Sequence, residues 1–395
     1  MKPLVVYSER MILPGGLFRG YLTAENGTIT GLSAERPVIG AVYLDAGPYY
    51  VSPGFIDLHT HGGGGYDFMD GSVDSITGGA AAHLAHGTTT MLPTTLACTE
   101  EELVLFLENF NAAKAMLKDG PYLYGAHLEG PYCNPAQAGA LDPEHIKPPD
   151  RKEYERFVEL GKGVIVRWSA APELDGGLEF GDYLFANGIL PSIAHSDAEY
   201  AQVREAFDHH YTMITHLYSG MSTIKRRSGF RVSGVIESGF IIEDIDVELI
   251  ADGCHLPPEI LKLVYRVKGP ARIALVTDSM RGAGIENPEG SYNLGSLKSG
   301  RLAIIEDDVA KLPDRSALAG SVATADRLVR VMNKNAGIPV PDAVRMMTAT
   351  PARIIGLQRQ KGSIAAGMDC DLAVFDDDIR IKAVITGGAL RCGSL

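Results

Sequence analysis

The sequence predicts an α/β protein: a TIM-like (β/α)8 barrel with a small β domain built from the two chain ends. Three observations carry that expectation. Eight apolar, strand-like runs recur through the middle of the chain, most followed by a segment of helical length. Short strands with Gly-rich turns fill residues 1–50 and recur after residue 355. Histidines and carboxylates gather at the ends of five of the eight runs, the face on which such barrels carry their chemistry.

In the N-terminal segment, Leu4 to Tyr7, Leu17 to Thr23, Thr28 to Leu32 and Ala41 to Leu44 read as strands. Pro14-Gly15-Gly16 separates the first two. Asn26-Gly27 separates the next two and is a hairpin signal, because both residues tolerate the positive φ of a tight turn. At the other end, Gly362 to Ala366, Leu372 to Phe375 and Ile381 to Thr386 alternate with glycine turns. Both ends therefore read as all-β and are expected to pair with each other.

The barrel runs are Val51 to His59, Thr88 to Pro93, Leu123 to Glu129, Val164 to Ala170, Leu190 to His195, Met213 to Leu217, Val247 to Asp252 and Ile273 to Asp278. Helical patterns at Glu101 to Lys118, Arg151 to Leu160, Tyr200 to His209 and Pro257 to Val267 lie between them. The barrel thus spans residues 51–355, and residues 1–50 and 356–395 form the small domain. That span exceeds the ~250 residues typical of the fold. The rival is an open doubly wound sheet, which needs a Gly-rich phosphate turn opening a helix after an early strand. Gly62 to Gly65 run instead into Tyr66-Asp67-Phe68-Met69-Asp70, a poor helix start.

Composition narrows the function. Of 395 residues, 45% are hydrophobic and 22% charged, enough for a large core and too apolar for a disordered chain. A net charge of -13 disfavours nucleic-acid binding, which needs a basic face. An anionic small molecule then requires a local basic cluster. Five dispersed cysteines without a Cys-x-x-Cys pair fit reduced thiols and a cytoplasmic setting. The N-terminus does not read as a signal peptide, and no run approaches the ~20 apolar residues of a membrane helix.

The strand ends carry the chemistry. Run one ends in His59-Thr60-His61; residues i and i+2 of a strand face the same side, so both imidazoles can grip one metal. Run three ends in His127-Leu128-Glu129-Gly130-Pro131, and run five in His195-Ser196-Asp197. Run six ends in Thr215-His216-Leu217-Tyr218, and run eight in Thr277-Asp278-Ser279. Taken singly, each has a bland reading: a structural histidine, a salt-bridge partner, a helix cap. Together they form a nitrogen and carboxylate donor set suited to Zn2+ or another divalent transition metal. A metal that activates water, with a carboxylate beside it, makes a hydrolase. Asp278, last in order, can take a proton from that water and pass it to a leaving group.

These residues, in this order, resemble the amidohydrolase superfamily, and within it the deacetylases of N-acetyl amino sugar phosphates. The resemblance covers nearly the whole chain. It rests on Pro53-Gly54-Phe55-Ile56-Asp57, Gly87-Thr88-Thr89, His127-Leu128-Glu129-Gly130-Pro131, His195-Ser196-Asp197, Thr215-His216-Leu217-Tyr218, Asp252-Gly253-Cys254-His255, Val276-Thr277-Asp278, Gly362-Ser363-Ile364 and Gly367-Met368-Asp369-Cys370-Asp371-Leu372. It implies that the small domain is a β-sandwich and that the chain forms a homodimer. It implies one divalent metal, Zn2+ foremost, on Glu129, His195 and His216, and a second on His59, His61 and Glu129. Asp278 becomes the catalytic acid and base. Arg227 becomes the phosphate residue, reaching across the dimer and assisted by His255, with Ala140, Ser219 and Gly220 as further substrate contacts. The implied reaction converts N-acetylglucosamine 6-phosphate, or a related N-acetyl amino sugar phosphate, to the amine and acetate.

Three positions depart from the family pattern. Leu141 stands where the family carries a histidine that polarises the amide carbonyl, and leucine donates no hydrogen bond. Loss of one such donor typically costs ~3 kcal/mol of transition-state stabilisation. Ser219-Gly220 replaces Asn-Ala, and Arg227 sits in an altered setting, Arg226-Arg227-Ser228-Gly229. A preserved ligand set beside an edited pocket fits the same reaction on a related N-acyl amino sugar. Two other classes stay open: cyclic-amide opening or base deamination, and a metal-free binding barrel. Glu129 on run three and the absence of lysine from run four oppose the first. The complete ligand set opposes the second.

Overall fold

The computed structural model describes residues 2–395. Eight parallel strands pair in chain order: Phe55–Thr60, Thr88–Thr95, Ala126–Glu129, Ile165–Ala170, Leu190–Ile193, Met213–Ile214, Asp246–Leu249 and Ile273–Leu275. Past the last of these, the Asp278 N–H donates to the His59 carbonyl and the His61 N–H to the Ser279 carbonyl, both at 2.8 Å. These bonds tie the eighth strand end to the first, as a TIM-like barrel requires. Every residue of the first two strands is buried. Strands covered on both faces read as apolar runs rather than as alternation, which is why all eight were visible in the sequence.

Helices cover the outside. Glu100–Met116 opens on a capping box in which Thr99 and Glu102 satisfy each other's backbone N–H groups. Arg151–Leu160 is capped by Asp150. The main core lies between strands and helices and contains Phe106, Phe110, Trp168 and Phe180, all within 1% of full burial.

Two expected runs need correction. Val51 to His59 is not one strand. It divides at Gly54: Tyr50–Pro53 pairs antiparallel with Leu372–Phe375 in the terminal sheet, and Phe55–Thr60 enters the barrel. A Cβ on Gly54 would lie 2.1 Å from Thr89 Oγ1, so only glycine allows this close crossing. Gly362 to Ala366 is turn rather than strand. Gly362 takes φ +85° and packs so that a Cβ would come 2.8 Å from the Thr348 carbonyl oxygen.

The chain ends do pair. Leu4–Leu13 lies at the centre of an eight-stranded sheet, with Gly16–Glu25 on one side and both Val42–Asp45 and Tyr50–Pro53 on the other. Leu372–Phe375, Ile381–Thr386 and Ala389–Gly393 extend it. This sheet has its own core, including Val6, Met11, Leu22, Val374 and Ile385. Two features went unseen in the sequence: an exposed hairpin, Lys225–Arg227 with Phe230–Val232, and a three-stranded insertion, Gly290–Leu294, Arg301–Glu306 and Val309–Lys311. Among the described residues, no helix is long and apolar enough to cross a membrane.

Candidate metal centre and active site

The barrel strands deliver the candidate ligands to one point. The Glu129 carboxylate is its centre. Its Oε2 lies 3.3 Å from His61 Nε2 and 3.5 Å from His59 Nε2. Its Oε1 lies 2.8 Å from His216 Nε2 and 3.3 Å from His195 Nε2. Asp278 Oδ1 stands 3.1 Å from His61 Nε2 and 3.5 Å from His59 Nε2. Two sets of three donor atoms each fall within 4.8 Å of one another: His59, His61 and Glu129, and Glu129, His195 and His216. His195, His216 and Asp278 all take positive φ, 45°, 26° and 46°. Such backbone is disfavoured for residues with a Cβ, and it turns these side chains inward as each strand ends.

Four imidazole nitrogens and two carboxylates thus crowd a buried space, a donor set that calls for cations between them. Three of the four ring orientations agree, while His216 Nδ1 is buried without a partner. His195 Nδ1 donates to the Gln137 carbonyl at 2.8 Å, His61 Nδ1 faces the Thr94 carbonyl at 3.3 Å, and His59 Nδ1 faces Glu248 Oε2 at 3.3 Å. With Nδ1 carrying the proton, Nε2 presents its lone pair to the centre, as a metal ligand must. The residues therefore fit one or two divalent ions.

The electrostatics tell the same story. Burial alone would push the imidazoles of His59 and His61 down. The carboxylates of Glu129 and Asp278 outweigh it, holding His59 well above its usual range and His61 up at about 9. Burial opposes ionisation of Glu129 and Asp278 as well, yet the facing histidines hold Glu129 well below, and Asp278 below, the usual carboxylate range. The cavity strongly favours positive charge, and an ionised Asp278 can accept a proton.

Above the ligands opens a cleft of about 280 Å3. His61, Glu129, His195, His216 and Asp278 line its floor. His59 lies beneath, fully buried. Ala140, Ser219, Gly220 and His255 line the walls. His255 is held by Asp252, Nδ1 to Oδ2 at 2.7 Å. Leu141 is also on the wall, among Leu96, Leu294 and Leu318, so the departure from the family pattern faces the reaction space. Its carbonyl accepts from Arg301 at 2.8 Å, which fixes the segment. Apart from the buried His59, Arg227 is the expected residue that does not line the cleft within this chain. It lies on the exposed hairpin and pairs with Glu199.

Sequence reading missed a layer below the floor. Arg167 and Glu248, both fully buried, form an ion pair inside the barrel. Burial raises the cost of ionising Glu248, but Arg167 and His59 hold its carboxyl down at about 2. The available signal was a charge between apolar neighbours in each of two buried strands, Arg167 between Val166 and Trp168 and Glu248 between Val247 and Leu249.

The chain matches the amidohydrolase family over residues 50–391. It is 30% identical to the N-acetylglucosamine-6-phosphate deacetylase of Bacillus subtilis over 98% of this chain and 96% of that protein. It is 29% identical to the N-acetylgalactosamine-6-phosphate deacetylase of Escherichia coli O157:H7 over 86% of each. Among solved structures, it resembles a mutant N-acetyl-D-glucosamine-6-phosphate deacetylase from Mycobacterium smegmatis in complex with N-acetyl-D-glucosamine-6-phosphate. That likeness has a TM-score of 0.90 and 30% identity, covering 99% of this chain and 100% of the other.

Proposed function

The chain belongs to the amidohydrolase family and is a metal-dependent hydrolase, and from that premise we propose that it deacetylates N-acetylglucosamine 6-phosphate to glucosamine 6-phosphate and acetate. The observation that carries this reading is the convergence of Glu129, His59, His61, His195, His216 and Asp278 on one buried centre beneath a cleft. Glu129, His195 and His216 would hold one ion, and His59 and His61, sharing Glu129, a second. Imidazole and carboxylate donors suit Zn2+. A metal held by these residues would supply Lewis-acid polarisation of the amide carbonyl and a lowered pKa for water.

The chain's own residues supply the proton transfers. Asp278, ionised and aimed at the centre, takes a proton from the attacking water and then gives it to the departing nitrogen. An amine leaves poorly as an anion, so the reaction needs that second transfer. Ala140, Ser219, Gly220 and His255 would contact the sugar, and Arg227 its phosphate, delivered from the partner subunit of a homodimer. Arg227 is exposed and is not among the residues that line the cleft of its own chain, which supports that arrangement. The same reading divides the chain into a barrel and a small β-sandwich shared by the two chain ends, with the first boundary moved from residue 51 to Gly54 because Tyr50–Pro53 pairs in the terminal sheet, and the second kept near residue 355. A cytoplasmic setting, where sugar phosphates and free thiols persist, accords with the five unpaired cysteines.

One observation favours a second substrate. Leu141 in the cleft wall leaves an apolar surface where the family histidine would donate a hydrogen bond, so a different N-acyl amino sugar phosphate is the alternative. Acetate release by the metal-loaded protein, measured across N-acyl hexosamine 6-phosphates and their unphosphorylated counterparts, tests both. Preference for the unphosphorylated compounds would reject the reading.

A further inference from the structure

We propose that Glu248 is a positioning residue for the second metal: it fixes the tautomer and ring direction of His59 and thereby sets the affinity of the His59–His61 site. The inference rests on the two-ion reading of the centre and names what controls one of the two ions.

Glu248 projects from the seventh barrel strand, Asp246–Leu249, and is fully buried. Its two carboxylate oxygens have separate tasks. Oε1 is bound by the Arg167 guanidinium. Oε2 accepts from the His216 backbone N–H at 3.1 Å and faces His59 Nδ1 at 3.3 Å. Arg167 is locked in turn by Ser192 Oγ and Thr215 Oγ1, both at 2.9 Å, and by the Leu58 carbonyl at 3.2 Å. A carboxylate accepts and never donates when ionised. His59 must therefore carry its proton on Nδ1, and its Nε2 lone pair points at Glu129 and His61. Carboxylate–histidine–metal relays of this type raise ligand basicity and hold the ring.

A merely structural role fits less well. A buried ion pair pays desolvation on both sides and is often no more stable than apolar residues of the same volume. Glu248 touches the His59 ring but only the backbone of His216, so its effect should fall on one ion and spare the other.

In Glu248→Gln, Arg167 draws the amide oxygen, and the amide NH2 turns toward His59 and the His216 N–H. A donor then faces His59 Nδ1 where an acceptor stood, which favours the wrong tautomer. Arg167→Met/Glu248→Met removes both charges together and leaves no unpaired buried ion, so it separates misfolding from loss of positioning. The full-length apoprotein of each form is titrated with Zn2+ against a chromophoric chelator, and bound ions are counted. The wild type should bind two ions. Both variants should keep the first within threefold and bind the second 10- to 100-fold more weakly. If both variants hold two ions with wild-type affinities, or lose both ions equally, Glu248 is structural and the inference fails while the two-ion reading survives. If the wild type itself holds one ion, the two-ion reading falls and this inference with it.

Discussion

The backbone N–H of Asp278 donates to the carbonyl of His59 at 2.8 Å, so the last strand end of the barrel is hydrogen-bonded to the first. The closing contact of the fold is therefore also a contact within the active centre. It places the Asp278 carboxylate, the proposed acid–base group, 3.5 Å from one imidazole and 3.1 Å from the next. Groups held on rigid strand ends keep their geometry through a catalytic cycle better than groups on loops.

Asp278→Asn tests that role. Asparagine keeps the shape and one oxygen but cannot carry a proton at neutral pH. Turnover should fall by about 10^2- to 10^4-fold, the range a positioned acid–base group supplies. The metal content should stay the same. Turnover within tenfold of the wild type at equal metal content would remove Asp278 from the mechanism.

The two ligand sets predict unequal losses. His195→Ala strips one nitrogen from a three-residue set and should release the ion held with Glu129 and His216. His61→Ala should release only the ion shared with His59. Glu129→Gln weakens the group common to both sets and should lower the total count most. Elemental analysis of the purified variants checks this order. Full occupancy in His195→Ala would show the ligand set to be wrong.

Much of this centre was legible in the chain because buried parallel strands are rich in apolar and β-branched residues and several end in histidine or carboxylate. His59, Glu129, His195, His216 and Asp278 each mark such an end. The limits were also physical. Val51 to His59 is one apolar run, and nothing in its side chains marks the change of sheet at Gly54; the reason lies in Thr89, which Gly54 must pass. The three-stranded insertion was hidden because its strands are half-exposed and mixed in polarity. Arg167 and Glu248 are 81 residues apart and meet only once the barrel closes. The proposed delivery of Arg227 to a partner subunit would likewise be a property of assembly, which strand periodicity does not encode.

His83 predicts an acid limit to stability. Its Nε2 donates to the Gly62 carbonyl at 2.9 Å, while its Nδ1 is buried with no partner. Burial pushes this imidazole down to about 4, against an ordinary 6.5. A depressed folded-state pKa means that the unfolded chain takes up the proton first. The contribution is complete above pH 6.5 and is lost as pH falls toward 4. Between pH 7 and 5 that is about 2 kcal/mol. His83→Gln keeps a donor for Gly62 and does not titrate. Urea midpoints at these two pH values should differ less in the variant by about that amount. Equal slopes would show that His83 is solvated or protonated in the fold.

The phosphate assignment can be tested together with the assembly that it requires. Lys225-Arg226-Arg227 is the only run of three basic residues in a chain of net charge -13, and it is presented on an exposed hairpin beside Phe230, which is 76% exposed. Within its own chain Arg227 pairs with Glu199 and lies off the cleft. Hydrogen bonds to a charged group contribute about 1.5–3 kcal/mol, so Arg227→Ala should raise KM for the phosphorylated sugar by roughly 10- to 100-fold. For the unphosphorylated sugar, KM should change less than threefold. If the arginine serves the partner's cleft, mixing Arg227→Ala chains with Asp278→Asn chains should restore low-KM turnover. The hybrid dimer then holds one site with an intact Asp278 and a partner's Arg227. If the arginine serves its own chain, the hybrid keeps only the high-KM site of the Arg227→Ala chain. An unchanged KM in Arg227→Ala alone would remove this residue from phosphate binding altogether.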